Sequence, residues 1–183
     1  MNKKKKIIIL GGGISKEREI SIKTARSVYK ELKKNKYKNI QILEPDKNFI
    51  KNLIKIKPNV IFNALHGRYG EDGYIQLILE NEKIKYTHSG VEASSICINK
   101  LISKEIFKKN KIPTPKYLIL KENIKKNKKK IFEMVKKKLN FPVVIKPVNE
   151  GSSVGVYICN QKNFIKNLNN LSNEKEILVE KYI

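Results

Sequence analysis

The sequence predicts an α/β fold, with a parallel sheet flanked by helices in its first half and a smaller α+β unit in its second. Three observations predict it. Short apolar runs alternate with segments whose apolar residues recur at helical spacing, joined by short connections, which is the pattern of a parallel sheet. Near Lys100 the pattern changes to a Lys-rich helix followed by two apolar runs around a Gly/Ser turn, which reads as an antiparallel pair. Finally, 40% of the 183 residues are hydrophobic, enough for the core of one ordinary domain or two small ones.

Taken in order, Ile7-Ile8-Ile9-Leu10 is a short apolar run that ends in Gly11-Gly12-Gly13, a buried strand entering a loop. Ala25, Val28, Tyr29 and Leu32 then share one face of an amphipathic helix. Residues 39–43 and 60–65 are two further strands, and Ile75, Ile78 and Leu79 mark another helical face. Ile98, Leu101, Ile102 and Ile106 predict a helix ending near Asn110. After it, Ile112-Pro113-Thr114-Pro115 is extended, because a residue before proline avoids the helical region. Ile131, Val135 and Leu139 line a Lys-rich helix. Residues 141–148 and 154–159 form the antiparallel pair, 164–171 a short helix, and 177–179 a last strand. The chain stops at Ile183 directly after that run with nothing resembling a terminal cap, so truncation is expected.

The formal net charge of +23 suggests a nucleic-acid or acidic-membrane partner at first sight. The kind and placement of the charges argue against it. Only Arg18, Arg26 and Arg68 are Arg, the side chain that base readout and bidentate phosphate contacts favour. The Lys residues are spread along the whole chain and accompany abundant Ile and Asn, as AT-rich coding would produce. Cys97 and Cys159 stand far apart with no CxxC or Cys/His grouping, which fits neither a disulfide framework nor a zinc site and suits a reducing compartment. The apolar run after Lys6 is too short for a signal peptide, and no run approaches membrane-spanning length. A cytoplasmic protein is expected.

Four segments could carry chemistry. In Gly11 to Glu19, glycines at a strand-to-helix turn admit a ligand to the backbone, and the helix start supplies N–H groups. Lys16 stands where a dinucleotide fingerprint needs glycine, so that site is disfavoured. A plain tight turn remains open; the carboxylates of Glu17 and Glu19 tip the reading towards binding of a substrate ammonium. His66-Gly67-Arg68-Tyr69-Gly70-Glu71-Asp72-Gly73 follows a strand directly, where open parallel sheets bind ligands, and is rich in polar residues for a mere connection. Lys146 closes the apolar Val143-Val144-Ile145 and precedes Glu150-Gly151-Ser152-Ser153-Val154-Gly155, whose backbone N–H groups could fold over a phosphate. An ordinary hairpin loop fits that segment equally well. Glu180-Lys181-Tyr182-Ile183 follows a strand and by itself says nothing.

In this order, the segments resemble the D-alanine–D-alanine ligases of the ATP-grasp superfamily. The resemblance runs through Leu10-Gly11-Gly12, Glu17 to Ser21, Ala64 to Gly67 and Gly70 to Gly73. It continues through Tyr86-Thr87, Ser89 to Val91, Ala93-Ser94, Asn99-Lys100, Pro113 to Pro115, Lys146-Pro147, Glu150 to Gly155 and Glu180-Lys181. It implies a Rossmann-like pre-ATP-grasp domain over residues 1–99 that binds substrate. Residues 100–183 would then be the first α+β subdomain of an ATP-grasp domain.

The implied activity joins two D-alanines with ATP through a D-alanyl phosphate, for peptidoglycan precursors. The resemblance assigns Glu17 to the first substrate's ammonium, His66 to its carboxylate, and Ser152 to a hydrogen bond towards Glu17 under a closing loop. Lys100, Lys146, Glu150, Gly151 and Ser153 would meet the ATP phosphates, and Glu180, Lys181 and Ile183 the adenine. The ligands of Mg²⁺ (or Mn²⁺) would lie in a C-terminal half beyond this sequence, and the full-length protein would be a homodimer. This sequence departs from the family pattern at Asn99, where Asp is usual, and at His88 and Tyr69, where Gly is usual. Other carboxylate–amine ligases, a D-alanine–D-lactate ligase, and an inactive fragment with nucleic-acid binding stay open.

Overall fold

The structure is a computed structural model that describes residues 3–121, 124 and 127–183. It divides into two compact units, Met1–Ile96 and Cys97–Ile183. Among the described residues no helix is long and apolar enough to cross a membrane.

The first unit is a three-stranded parallel sheet of order β2-β1-β3, built from β1 (Ile7–Leu10), β2 (Ile40–Leu43) and β3 (Val60–Asn63). Register runs Ile7 to Ile40 on one side of β1 and Ile7 to Val60 on the other. All four residues of β1 are buried because helices cover both faces of this central strand. Ile8 and Leu10 face a cluster with Phe49 and Leu53 of α2 (Phe49–Ile56) and Ile75 and Leu79 of α3 (Tyr74–Asn81). Ile9 points the other way, to Ala25 of α1 (Arg18–Lys34). Each such aliphatic side chain contributes about 1.5–3 kcal/mol by leaving water.

Gly11 is required here for packing: a Cβ on it would lie 2.5 Å from that of Ala25, so the glycine admits helix α1 to the sheet. Helix α2 was legible from Phe49, Leu53 and Ile56 but is absent from the expected elements. The strands expected at 39–43 and 60–65 are present with trimmed ends.

After α4 (Val91–Ile98), the second unit begins with α5 (Lys100–Lys109). The single helix expected across Ile98 to Asn110 is thus two. Asn99 has non-helical dihedrals, and its side-chain oxygen accepts from the N–H groups of Leu101 at 3.1 Å and Ile102 at 3.0 Å, which caps a new start. The sheet is antiparallel with order β4-β7-β5-β6: β4 is Tyr117–Lys121, β5 Val143–Pro147, β6 Tyr157–Cys159 and β7 Glu176–Lys181. Helices α6 (Lys128–Lys138) and α7 (Phe164–Asn170) cover one face over Val135, Ile145, Phe164, Leu168 and Val179.

The expected pair β5–β6 is present, with Val143 opposite Cys159. Strand β7, however, fills the other side of β5 and takes β4 as its far neighbour. Strand β4 was not expected, since Tyr-Leu-Ile-Leu-Lys lacks alternation and follows the proline segment; pairing with β7 makes it a strand.

Candidate functional site

In the first unit the candidate residues gather at the carboxyl ends of β1 and β3, where a cavity of about 400 Å³ opens among Gly12, Gly13, Leu65, His66 and Tyr69. Glu17 precedes α1 and is buried, with only 6% of its surface exposed. Its Oε2 lies 3.0 Å from where a Cβ on Gly67 would stand, and Gly67 adopts φ +66°, both of which favour glycine beside it. Among the described residues no donor reaches this carboxylate; the hydrogen bonds of Glu17 are those of its backbone. Gln76 Oε1 is the buried side-chain oxygen without a partner among the described residues, so the Glu17 oxygens still reach solvent and are open to a cationic ligand.

His66 is held on both sides. Its Nδ1 faces Glu71 Oε1 at 3.5 Å and its Nε2 faces Thr24 Oγ1 at 3.3 Å. The Thr24 hydroxyl donates to Ile20 O at 3.0 Å, so it presents a lone pair to the ring.

Much of the polar richness of the 66–73 loop is spent on its own shape. Glu71 Oε2 accepts from Gly67 N at 2.9 Å, and Asp72 accepts from Tyr69 N at 2.9 Å and Tyr74 N at 3.1 Å. Gly70 O accepts from the side chains of Asn63 and Gln76, both at 2.8 Å. Buried Ser21 ties the two loops, accepting from Gly12 N at 2.9 Å and donating to Ala64 O at 2.7 Å. Arg18 grips Glu44 bidentately, with both bonds at 2.9 Å, and Glu44 also accepts from Gly13 N at 3.1 Å. The guanidinium holds the Glu44 carboxyl below its ordinary value.

In the second unit, one face of the sheet and α5 enclose a cavity of about 480 Å³ that holds Lys100, Lys104, Lys146 and Glu180 between Phe107, Pro115 and Leu178. Glu180 is buried and bridges two ammonium groups: Lys104 Nζ stands 2.5 Å from Oε1, and Lys146 Nζ contacts Oε2. Burial pushes the Glu180 carboxyl up, but the hydrogen bonds from Lys104 and Lys146 outweigh it and leave the group below its ordinary value. Burial, and then the like charge of Lys146, hold Lys100 below the usual lysine range. The Lys100 ammonium donates to the carbonyls of Glu150 and, at 3.4 Å, Val148, the entry to the Gly/Ser loop. In that loop Ser152 and Ser153 adopt φ +42° and +63°, uncommon and strained for residues with a Cβ.

The structure therefore brings Glu17 to the His66 loop, and Lys100 and Lys146 to Glu180. Gly151, Ser152 and Ser153 sit in the strained loop, whereas Lys181 and Ile183 do not line the cavity and Ile183 is 89% exposed. Lys104 went unnoticed in the sequence, although four residues after Lys100 it shares that residue's helix face. Glu44 carries no local signal at all. Of the departures, Asn99 caps α5 as Asp does elsewhere. His88 and Tyr69 adopt φ +88° and +70°, which explains why glycine is usual there.

Comparison with known proteins bears on the same residues. A family profile described as D-ala D-ala ligase C-terminus matches residues 106–183. The chain is 63% identical to the D-alanine--D-alanine ligase of Pelagibacter ubique (strain HTCC1062) over 98% of its own length and 58% of the relative's. Among solved structures, it is similar to D-alanine--D-alanine ligase from Bacillus anthracis at 35% identity and a TM-score of 0.80, covering 98% of this chain and 58% of that one. A second structure of that protein, complexed with ATP, matches at 33% identity and a TM-score of 0.76, over 98% and 59%. The chain thus spans just under three fifths of the length of these relatives, 58% of the first two. Over that span, the chain belongs to the D-alanine–D-alanine ligase family.

Proposed function

We propose that the protein to which this chain belongs is a cytoplasmic ligase that joins two D-alanines with ATP into D-alanyl-D-alanine for peptidoglycan precursor synthesis. The observation that carries this reading is the cavity of the second unit, where three lysines face one glutamate, an excess of positive charge suited to the phosphates of a nucleotide. The ATP complex of the Bacillus anthracis relative supports the choice of nucleotide.

In the proposed reaction a carboxylate oxygen of the first D-alanine attacks the γ-phosphorus of ATP and ADP leaves. The amine of the second D-alanine attacks the acyl carbon, and phosphate leaves with the bonding pair. Such chemistry is accelerated mainly by positioning and by neutralising charge. Glu17 receives the ammonium of the first substrate, which replaces the donor its carboxylate lacks. His66, fixed by Glu71 and Thr24, orients the substrate carboxylate.

Lys100 and Lys146 meet phosphate oxygens, with the backbone of Glu150, Gly151 and Ser153. Glu180, which lines the cavity, borders the base, and Ser152 covers the reacting groups. The proposal assigns residues 1–99 to substrate binding and 100–183 to the first part of the nucleotide-binding domain. The proposal assigns the ligands of Mg²⁺ or Mn²⁺ to a C-terminal half beyond this sequence.

The test is ADP release by the intact protein with D-alanine, and with L-alanine as control. Release that requires D-alanine and disappears in Lys146→Ala supports the reading. Equal release with either enantiomer, or none, overturns it.

A further inference from the structure

Helix α5 is turned in an unexpected way. Its Ile102, Ile106 and Phe107 are exposed by 45%, 36% and 40%, while Lys104 is its buried residue, at 5%. Burying an ammonium costs several kcal/mol unless it is paired and its protons are all used. Both conditions hold. Lys104 Nζ stands 2.5 Å from Glu180 Oε1, 2.6 Å from Thr114 Oγ1 and 3.3 Å from Pro115 O, and it lies 4.9 Å from the centre of the Tyr117 ring. Three acceptors exhaust the three protons of an ammonium, so Lys104 has none to give a ligand. Lys146 is different: its contact is Glu180 alone and its side chain is 22% exposed, so it can still turn to a phosphate.

Glu180 accepts once on each oxygen and keeps lone pairs for a further donor. We infer that Lys104 is a positioning residue for nucleotide choice: it holds Glu180 in place as an acceptor, so the cavity takes a base with an exocyclic amine and rejects one with a carbonyl there. This rests on the nucleotide reading of the cavity proposed above. An ionised carboxylate meeting a carbonyl leaves two acceptors facing each other, which a buried site penalises heavily. A protonated Glu180 loses that selectivity, since its hydroxyl can donate to the carbonyl.

The groups that face Glu180 set the sign of the effect. Lys104 and Lys100 approach from α5 and Lys146 from β5, while Tyr117 is its register partner on β4. The Tyr117 phenol donates to Glu105, and that bond, together with burial, pushes it up to about 12. Burial alone raises the Glu180 carboxyl and the two lysines bring it below 4.5. Removing Lys104 takes away one of the two hydrogen bonds that oppose burial, so the carboxyl rises. Lys100 is common to wild type and variant, so its own titration cancels in a ratio of two nucleotides.

The experiment is calorimetric titration of the intact protein with ATP and with ITP, which replaces the adenine amine by a carbonyl, at pH 8 and pH 6. Wild type is expected to prefer ATP by at least about tenfold with the same ratio at both pH values. In Lys104→Met the ratio falls by at least about threefold, and further at pH 6 than at pH 8, whereas Lys104→Arg keeps the wild-type ratio. Glu180→Gln, nearly the same shape, presents an amide that can donate or accept, so its ratio collapses at both pH values even if the Met variant folds poorly. Wild type that binds ATP tightly while Lys104→Met keeps the wild-type ratio overturns the role of Lys104 alone, and a Glu180→Gln variant that keeps it overturns the reading of the base by Glu180 as well. Wild type that binds neither nucleotide overturns the nucleotide reading and this inference with it.

Discussion

Glu17 and Glu180 are both buried glutamates, one in each unit, and their surroundings are opposite. Glu17 has no donor on its carboxylate among the described residues, whereas Glu180 has an ammonium on each oxygen and a third lysine nearby. A carboxylate that no protein cation meets is open to a cationic ligand. One surrounded by surplus cations is satisfied, and the surplus is what draws an anion. On the proposed reading, the first unit takes an ammonium and the second phosphates, the two classes of substrate that the reaction brings together.

Substitutions can break or sharpen that contrast. The largest effect is expected at Lys146, the lysine of the Glu180 pair that can turn to a ligand. Lys146→Ala should lower D-alanine-dependent ADP release by about 100- to 1000-fold, the scale on which a single preorganised electrostatic donor acts. A loss below tenfold would show that the surplus charge of the cavity is not used on phosphate.

Glu17→Gln comes next. It keeps the shape and removes the charge, so KM for D-alanine should rise by about 10- to 100-fold while ATP binding is unchanged. A matching loss of ATP affinity would mean that the contrast between the two carboxylates is not a division of labour.

The remaining changes concern the scaffold. Ser21→Ala removes both bonds that tie Gly12 to Ala64, leaving a buried N–H and a buried carbonyl unmatched, and should cost about 1–3 kcal/mol in denaturant unfolding. Asn99→Ala should cost about 1 kcal/mol through the lost cap of α5, and Asn99→Asp should be neutral or slightly stabilising next to the helix dipole. A large loss in Asn99→Asp would show that the amide has a duty beyond capping.

Most of the fold was legible because the signals are local. The apolar run of β1, the helical spacing of Ala25 to Leu32 and the Lys146 to Gly155 segment each carry their reading within a few residues. Strand β4 was not legible, since its five residues become a strand through the ladder to β7, more than fifty positions away. The motif loops were legible as sites, but not the division of work inside them, where Glu71 and Asp72 build the loop and Glu17 is left free of donors.

The sequence by itself determined the family, the α/β order of the elements and the loops where chemistry would sit, because glycines and charged residues at strand ends leave a pattern in one dimension. Only the tertiary structure decided that Lys104 is the buried lysine of α5 and that Glu44 holds the glycine turn. It alone decided as well that Glu180 bridges two lysines. Each of these is a pairing between elements distant in the chain, and the electrostatics of a buried charge depends on which partners the fold brings within 3 to 4 Å, not on its neighbours in sequence.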